Sequence, residues 1–348
     1  MMKGRLPDDI VYPSAVAFVL VHLACFGIFW TGVSLRSLVL LVALYFVKMF
    51  AITAGYHRLF SHASYRTSRT FRFLLGFLAE SSAQAGVIWW AAKHREHHRH
   101  SDTELDPHSP VAHGFWISHA GWIFHRRYDR PDLSLVPDLL RAPELVWLDR
   151  HKYVPVVALA VFCYAVDGWT GFLVGFCGST VLTWHGTFAI NSLAHVYGRQ
   201  QYLTGDASRN NFWLAVLTLG EGWHNNHHWY PAAARQGFRW WEWDPTYYLL
   251  RLLEKLGVVW DLKQPPKEVL EGSRQIPTSI LEKAASRLAK SWRESLEGWK
   301  IPELSTLREF AGSCLPQSPG FDRMVQRALE ILQEESSMGR PEGREHAF

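Results

Sequence analysis

The chain has 348 residues, a formal net charge of +4, 18 histidines and 17 tryptophans. That length allows one large domain or two modest ones, and so mild a positive charge does not imply a nucleic-acid partner; no nucleic-acid-binding motif occurs and none is expected to bind. The four cysteines lack C-x-x-C spacing and three of them lie in apolar stretches, so neither a disulfide framework nor a thiolate metal site is expected.

In chain order, residues 15–30 are almost purely apolar. Extended back to Ile10, they reach the roughly 20 residues that a bilayer span requires. Asp8 and Asp9 spoil the basic start of a signal peptide, so this segment reads as an uncleaved helix. A turn near 32–34 leads into a second apolar run, 37–55, completing a transmembrane hairpin. Residues 71–92 are semi-apolar but contain Glu80 and Gln84, and read as a buried or interfacial segment rather than a span. A second pair of apolar arms, 154–166 and 169–184, is broken at Asp167-Gly168; its second arm can continue helically to His195. The expected fold class is all-α, with four transmembrane helices in two hairpins.

Lys and Arg crowd the region between the hairpins, from Arg58 to Lys152, and are nearly absent from the hairpin turns. The positive-inside rule then puts both termini and the intervening segments in the cytoplasm, as a helical cap. From about Leu262 the composition turns soluble. Ile280, Ala284, Leu288, Trp292, Leu296 and Trp299 recur at helical spacing, and a second helix is expected near 321–335. The last ten residues have a disordered composition. The domains are therefore drawn as a membrane-embedded unit, 1–262, and a soluble helical extension, 263–348.

Histidines cluster in three places. His94, His97 and His98 form H-x-x-H-H, and His224, His227 and His228 repeat it. Residues three and four apart share a helix face, so each triplet can offer three imidazoles to one small volume. His57 and His62 are five apart, about 140° around an ideal helix. They would share a site if the helix broke between them, with His57 capping the second span and His62 entering from the loop. Imidazole suits Zn, Cu, Fe and Ni alike, so ligand type leaves the metal open. Eight clustered histidines exceed one tetrahedral site and point to two metals. Isolated histidines (His22, His100, His108, His113, His119, His125, His151, His185 and His346) are expected to be packing or surface residues.

The strings GYHRLFSH, KHREHHRHSD and EGWHNNHHWYP resemble the three histidine boxes of integral-membrane fatty acyl desaturases. NSLAH at 191–195, DPHSP at 106–110, SHAGW at 118–122 and WWEWDPTYY at 240–248 are similar to the stearoyl-type, delta-9 acyl-CoA branch. The resemblance covers roughly residues 10–260. It implies a diiron centre in the cytoplasmic cap, with O2 as co-substrate, that desaturates a long-chain acyl group. By motif position it implies His57, His62, His94, His97, His98, His195, His224, His227 and His228 as iron ligands, with Asn191 holding a metal-bound water. It further implies that Gln84, Trp90, Thr187 and Phe188 shape a bent acyl tunnel, and that Arg126 and Arg127 meet the carrier headgroup. Phe188 stands where the family usually has Trp. Ala92-Lys93 stands where animal enzymes usually have Arg-Asp, which leaves acyl carrier protein or intact lipid as carriers beside CoA. No cytochrome b5 His-Pro-Gly-Gly segment or iron–sulfur spacing occurs, so a separate ferredoxin or cytochrome b5 is the implied electron donor. A membrane hydroxylase and a membrane metal transporter are the rival readings.

Overall fold

The computed structural model describes residues 12–295 and 301–337. Helix α1 (Tyr12–Cys25) and a short helical turn, Ile28–Thr31, lead to Gly32 with φ 68°, where the chain reverses. Helix α2 (Leu35–Phe50) opens on Ser34, whose hydroxyl accepts from the Ser37 amide at 2.9 Å. Without a break α2 widens into a π-helical stretch, Ala51–Ser61. A two-residue antiparallel ladder pairs β1 (Arg66–Thr67) with β2 (Val259–Trp260).

Residues 71–92 fall on two helices joined by a tight turn. Helix α3 (Arg69–Glu80) ends where the Ser81 and Ser82 hydroxyls donate to the carbonyls of Leu78 and Ala79. Ala83 and Ala85 then take positive φ and turn the chain into α4 (Val87–His100). Short helical turns follow up to α5 (Pro143–Arg150).

Helix α6 (Tyr153–Thr170) is kinked at Asp167 and Gly168. Gly168 has φ 57° and ψ −143°, a conformation open to glycine and costly for other residues. The run continues through a wide turn, Gly171–Gly178, into α7 (Ser179–Ser192) and a last tight turn, Leu193–His195. The Ser34 hydroxyl donates to the Asp167 carboxylate, joining the two hairpin turns.

Among the described residues, three helical stretches are long and apolar enough to cross a membrane: Ser14–Thr31, Leu35–Ser61 and Tyr153–His195, the last spanning 43 residues across the kink. Their outward faces carry exposed apolar side chains, among them Leu20, Val39, Phe46, Val157 and Val161. Water would make such faces costly, and lipid would not. The fold is mostly helical and fits a membrane protein.

Helices α8 (Phe212–Leu217), α9 (His224–Trp229) and α10 (Pro245–Lys255) complete the first compact unit, residues 1–198 with 209–265. The second unit comprises 199–208 and 266–348. In it, α11 (Thr278–Glu294), α12 (Leu304–Cys314) and α13 (Phe321–Ser337) pack through small and apolar faces such as Ala285, Leu288, Met324 and Ala328. Leu296, Trp299 and the last ten residues lie outside the described residues.

Candidate metal centre

The π-helical stretch answers the five-residue spacing of the first box. A π-helix bonds residue i to i+5, and the His62 amide donates to the His57 carbonyl at 3.2 Å. The helix widens rather than breaks, and the two imidazole centroids stand 4.9 Å apart. His57 is therefore inside the helix, not a cap, and His62 follows its last turn.

The second box rides on α4. Two acidic side chains hold its N-terminus: Asp149 accepts from the Ile88 and Trp89 amides, and Glu80 from the Val87 amide, each at 3.0 Å. Burial pushes the Glu80 carboxyl up to about 8. Arg95 ties α4 to the end of the first box. Its guanidinium donates to the Phe60 and Ser61 carbonyls at 2.7 and 2.9 Å.

The third box fills α9, every residue of which is buried. Asn210 Oδ1 accepts from the Asn225 and Asn226 amides at 3.0 and 3.1 Å, and the Asn226 side chain donates to Glu242 at 2.8 Å. Upstream, Gly222 packs so closely that a Cβ would lie 2.1 Å from the Ala215 amide nitrogen. Only glycine fits this approach to the box.

Nine histidines converge in two groups. His57, His62, His94, His98 and His227 form one, and His97, His195, His224 and His228 the other; within each group the candidate ligand atoms lie within 4.8 Å of one another. Neighbouring Nε2 atoms are 3.0 Å apart for His57 and His227, 2.8 Å for His62 and His94, 2.8 Å for His98 and His227, and 3.0 Å for His195 and His224.

Three carboxylates set the outer nitrogens. Asp102 lies 2.9 Å from His195 Nδ1, Asp106 lies 2.9 Å from His97 Nδ1, and Glu221 pairs with His57 Nδ1. A carboxylate there assigns the proton to Nδ1 and leaves a bare lone pair on Nε2. Burial, reinforced by neighbouring imidazoles, holds His62, His94, His98 and His227 well below the usual histidine range, so these four stay neutral. Lone pairs facing one another at about 3 Å repel unless a cation lies between them. The donor set therefore fits metal ions.

Burial alone would raise the Asp106 carboxyl, but His97 and His108 hold it well below its ordinary range. His108, expected to be isolated, forms a further group with His97 and Asp106. Arg58 is fully buried and donates to Glu221 and Asp244 at 3.2 and 3.0 Å and to the Ala234 carbonyl at 2.8 Å. Asp102, Asp106, Glu221, Arg58 and Arg95 were not singled out from the sequence. A signal existed for all five, since each lies inside a quoted string: Arg58 in GYHRLFSH, Arg95 and Asp102 in KHREHHRHSD, Asp106 in DPHSP and Glu221 in EGWHNNHHWYP.

A cavity of about 390 Å³ opens beside the histidines. Its wall includes His94, Asn191, Gln84, Trp90, Thr187 and Phe188, and it runs on between Phe18, Val21, Val156, Phe176 and Thr180. Gln84 donates to the Thr187 hydroxyl at 3.1 Å, and Trp90 stacks on Tyr56 and His94. A smaller cavity of about 40 Å³ is lined by His57, His94, His97, His224 and Asn191, so Asn191 borders both spaces. Arg126 and Arg127 are exposed on a short helical turn and are not part of the larger cavity's wall; Lys93, Asp129 and Lys152 are.

The family model described as "Fatty acid desaturase" matches residues 35–262. The chain is 38% identical to a protein named sn-2 palmitoyl-lipid 9-desaturase of Nostoc sp. (strain 36), across 64% of this chain and 79% of that one. It is 38% identical to an acyl-CoA 5-desaturase of Anemone leveillei, across 62% and 68%. It is 33% identical to a hex-5-enoyl-[acyl-carrier protein] acetylenase of Moorena producens (strain JHB), across 71% and 83%. A family match over most of the chain, spanning all three histidine boxes, means that this chain belongs to the fatty acid desaturase family.

Proposed function

We propose that this chain is an O2-dependent desaturase of a long-chain acyl substrate, introducing a delta-9 double bond into an acyl-CoA at a diiron centre. The observation that carries the reading is the joining of two features. A largely apolar cavity runs between apolar helices up to His94, and a smaller one is lined by members of both histidine groups. In this reading the two groups each hold one iron: His57, His62, His94, His98 and His227 the first, and His97, His195, His224 and His228 the second. Asn191, bordering both cavities, would hold a metal-bound water.

When bound, two irons with O2 supply the oxidising power that unactivated methylene C–H bonds demand. The chain's own residues do the rest. Asp102, Asp106 and Glu221 accept the Nδ1 protons and aim the Nε2 lone pairs inward. Trp90, Gln84, Thr187 and Phe188 shape the passage past His94 and Asn191, deciding which methylenes lie beside the metals. The apolar wall keeps bulk water from the reacting carbons. Overall, two hydrogens leave adjacent methylenes. Together with two protons and two electrons from a separate ferredoxin or cytochrome b5, they reduce O2 to two waters.

The exposed apolar faces support four membrane helices in two hairpins, counting the two arms of the kinked 43-residue run separately. The charge asymmetry supports cytoplasmic termini and a cytoplasmic site. Expression in a desaturase-deficient host, with double bonds located by gas chromatography–mass spectrometry, tests the activity. New delta-9 monoenes that vanish with His227→Ala are expected; an alcohol as main product, or full activity in the variant, would overturn the proposal.

A further inference from the structure

The wall of the larger cavity has an exposed side and a buried side. Tyr153 on it is 70% exposed, and Ser14 and Asp129 are exposed too, whereas Phe176 and Thr180 are buried. The polar carrier of an acyl chain belongs at the exposed side, because taking it out of water is costly. Two lysines are part of this wall, Lys93 and Lys152. Lys93 is buried, and its ammonium is already paired with Glu96 at 2.9 Å. Lys152 is only half-buried, and among the described residues no carboxylate lies within ion-pair distance of its Nζ. That Nζ stands instead over the ring of Tyr153, another wall residue, 5.7 Å from its centre.

The acids nearby do not neutralise this charge. Asp149 is engaged by the Ile88 and Trp89 amides. Glu80, whose carboxyl feels Lys152, still titrates only at about 8 and is largely uncharged at neutral pH. Asp129 lies in one short run with Arg126, Arg127 and Arg130, so that turn is basic on balance. The rim therefore presents an ammonium without a counter-charge beside an apolar passage, and such a group attracts an anion. Phosphate supplies that anion on CoA and on a phospholipid alike. A carrier ending in a bare glycerol or an uncharged thioester arm supplies none.

We propose that Lys152 is a specificity-determining residue that selects acyl carriers bearing a phosphate over uncharged ones. The inference rests on the reading of the cavity as the acyl site. The phosphate meets the Lys152 ammonium at the rim, and the methylenes run inward past His94 toward Phe176 and Thr180.

The test uses full-length, iron-loaded protein in uncharged maltoside micelles, without reductant, so that binding is read apart from turnover. Two pairs of ligands compete against a fluorescent fatty-acyl probe: palmitoyl-CoA with palmitoyl-pantetheine, and 1-palmitoylglycerol 3-phosphate with 1-palmitoylglycerol. Within each pair the acyl linkage is the same and only one member carries phosphate. The wild type is expected to prefer the phosphate-bearing member of at least one pair. Lys152→Met is expected to cut that preference by about tenfold, the weight of one charge-assisted hydrogen bond, and Lys152→Arg to keep most of it. A cut in the thioester pair assigns the phosphate to CoA and one in the glycerol pair to a phospholipid; either supports the inference. A preference unchanged in Lys152→Met, or an equal loss of affinity for the uncharged members, would overturn the inference while leaving the acyl cavity standing. Failure of all four chains to displace the probe from the wild type would overturn the acyl cavity itself, and this inference with it.

Discussion

At the scale of single residues, the carboxylates behind the histidines set which nitrogen carries the proton. Asp102 and Glu221 each contact a different histidine group, through His195 and His57. Losing the acceptor frees the tautomer and weakens the ligand, typically by about 10–100-fold in metal affinity. Asp102→Asn and Glu221→Gln are therefore expected to lower iron affinity by about that factor, read by competition with a chelator. Unchanged affinity in both would remove these residues from the site. Thr187 acts differently, because its hydroxyl receives the Gln84 amide across the cavity and touches no histidine group. Thr187→Val is expected to keep the iron content and broaden the positions of the double bond, a change visible in product analysis.

At the scale of elements, the geometry of the first box depends on a widened helix and that of the second on a capped one. Glu80 caps α4 while buried, and its carboxyl titrates at about 8 against an ordinary value of 4.5. The folded state therefore holds this proton more tightly than the unfolded chain does. The stability it contributes is full below pH 4.5 and is lost as pH rises through about 8. Melting temperature is expected to fall between about pH 4.5 and about pH 8 in the wild type, and less so in Glu80→Gln. An equal fall in the variant would contradict the assignment. The π-helical stretch shows why the first box was harder to read than the others. Spacings of three and four match the α-helix on sight, whereas a spacing of five suggested a break. In the π-helix, five is the hydrogen-bonded repeat.

At the scale of the whole molecule, the apolar arms, the kink at Asp167-Gly168, the extension to His195 and the helices near 280 and 321 were legible, because each is written in a local pattern. The convergence of nine histidines in two groups could be anticipated only through the motifs. The contacts that build it join residues far apart in the chain, as His195 joins Asp102 and Arg58 joins Asp244. Helix α12 and the turn that splits 71–92 carried no comparable signal. In that turn, alanines take positive φ where glycine would have announced it. The proposed two-hairpin topology has its own check. Alkaline phosphatase fused at Gly32 or Gly168 is expected to be active, and fused at Arg130 inactive. The opposite pattern would invert the orientation.

The central claim, that the histidine groups support desaturation rather than oxygen insertion, is tested most directly by isotope. Purified, iron-loaded protein is given reductant, an acyl-CoA and oxygen-18 gas, and the acyl product is weighed by mass spectrometry. A product lighter by two hydrogens is expected, with the label only in water. An acyl product carrying oxygen-18 would contradict it.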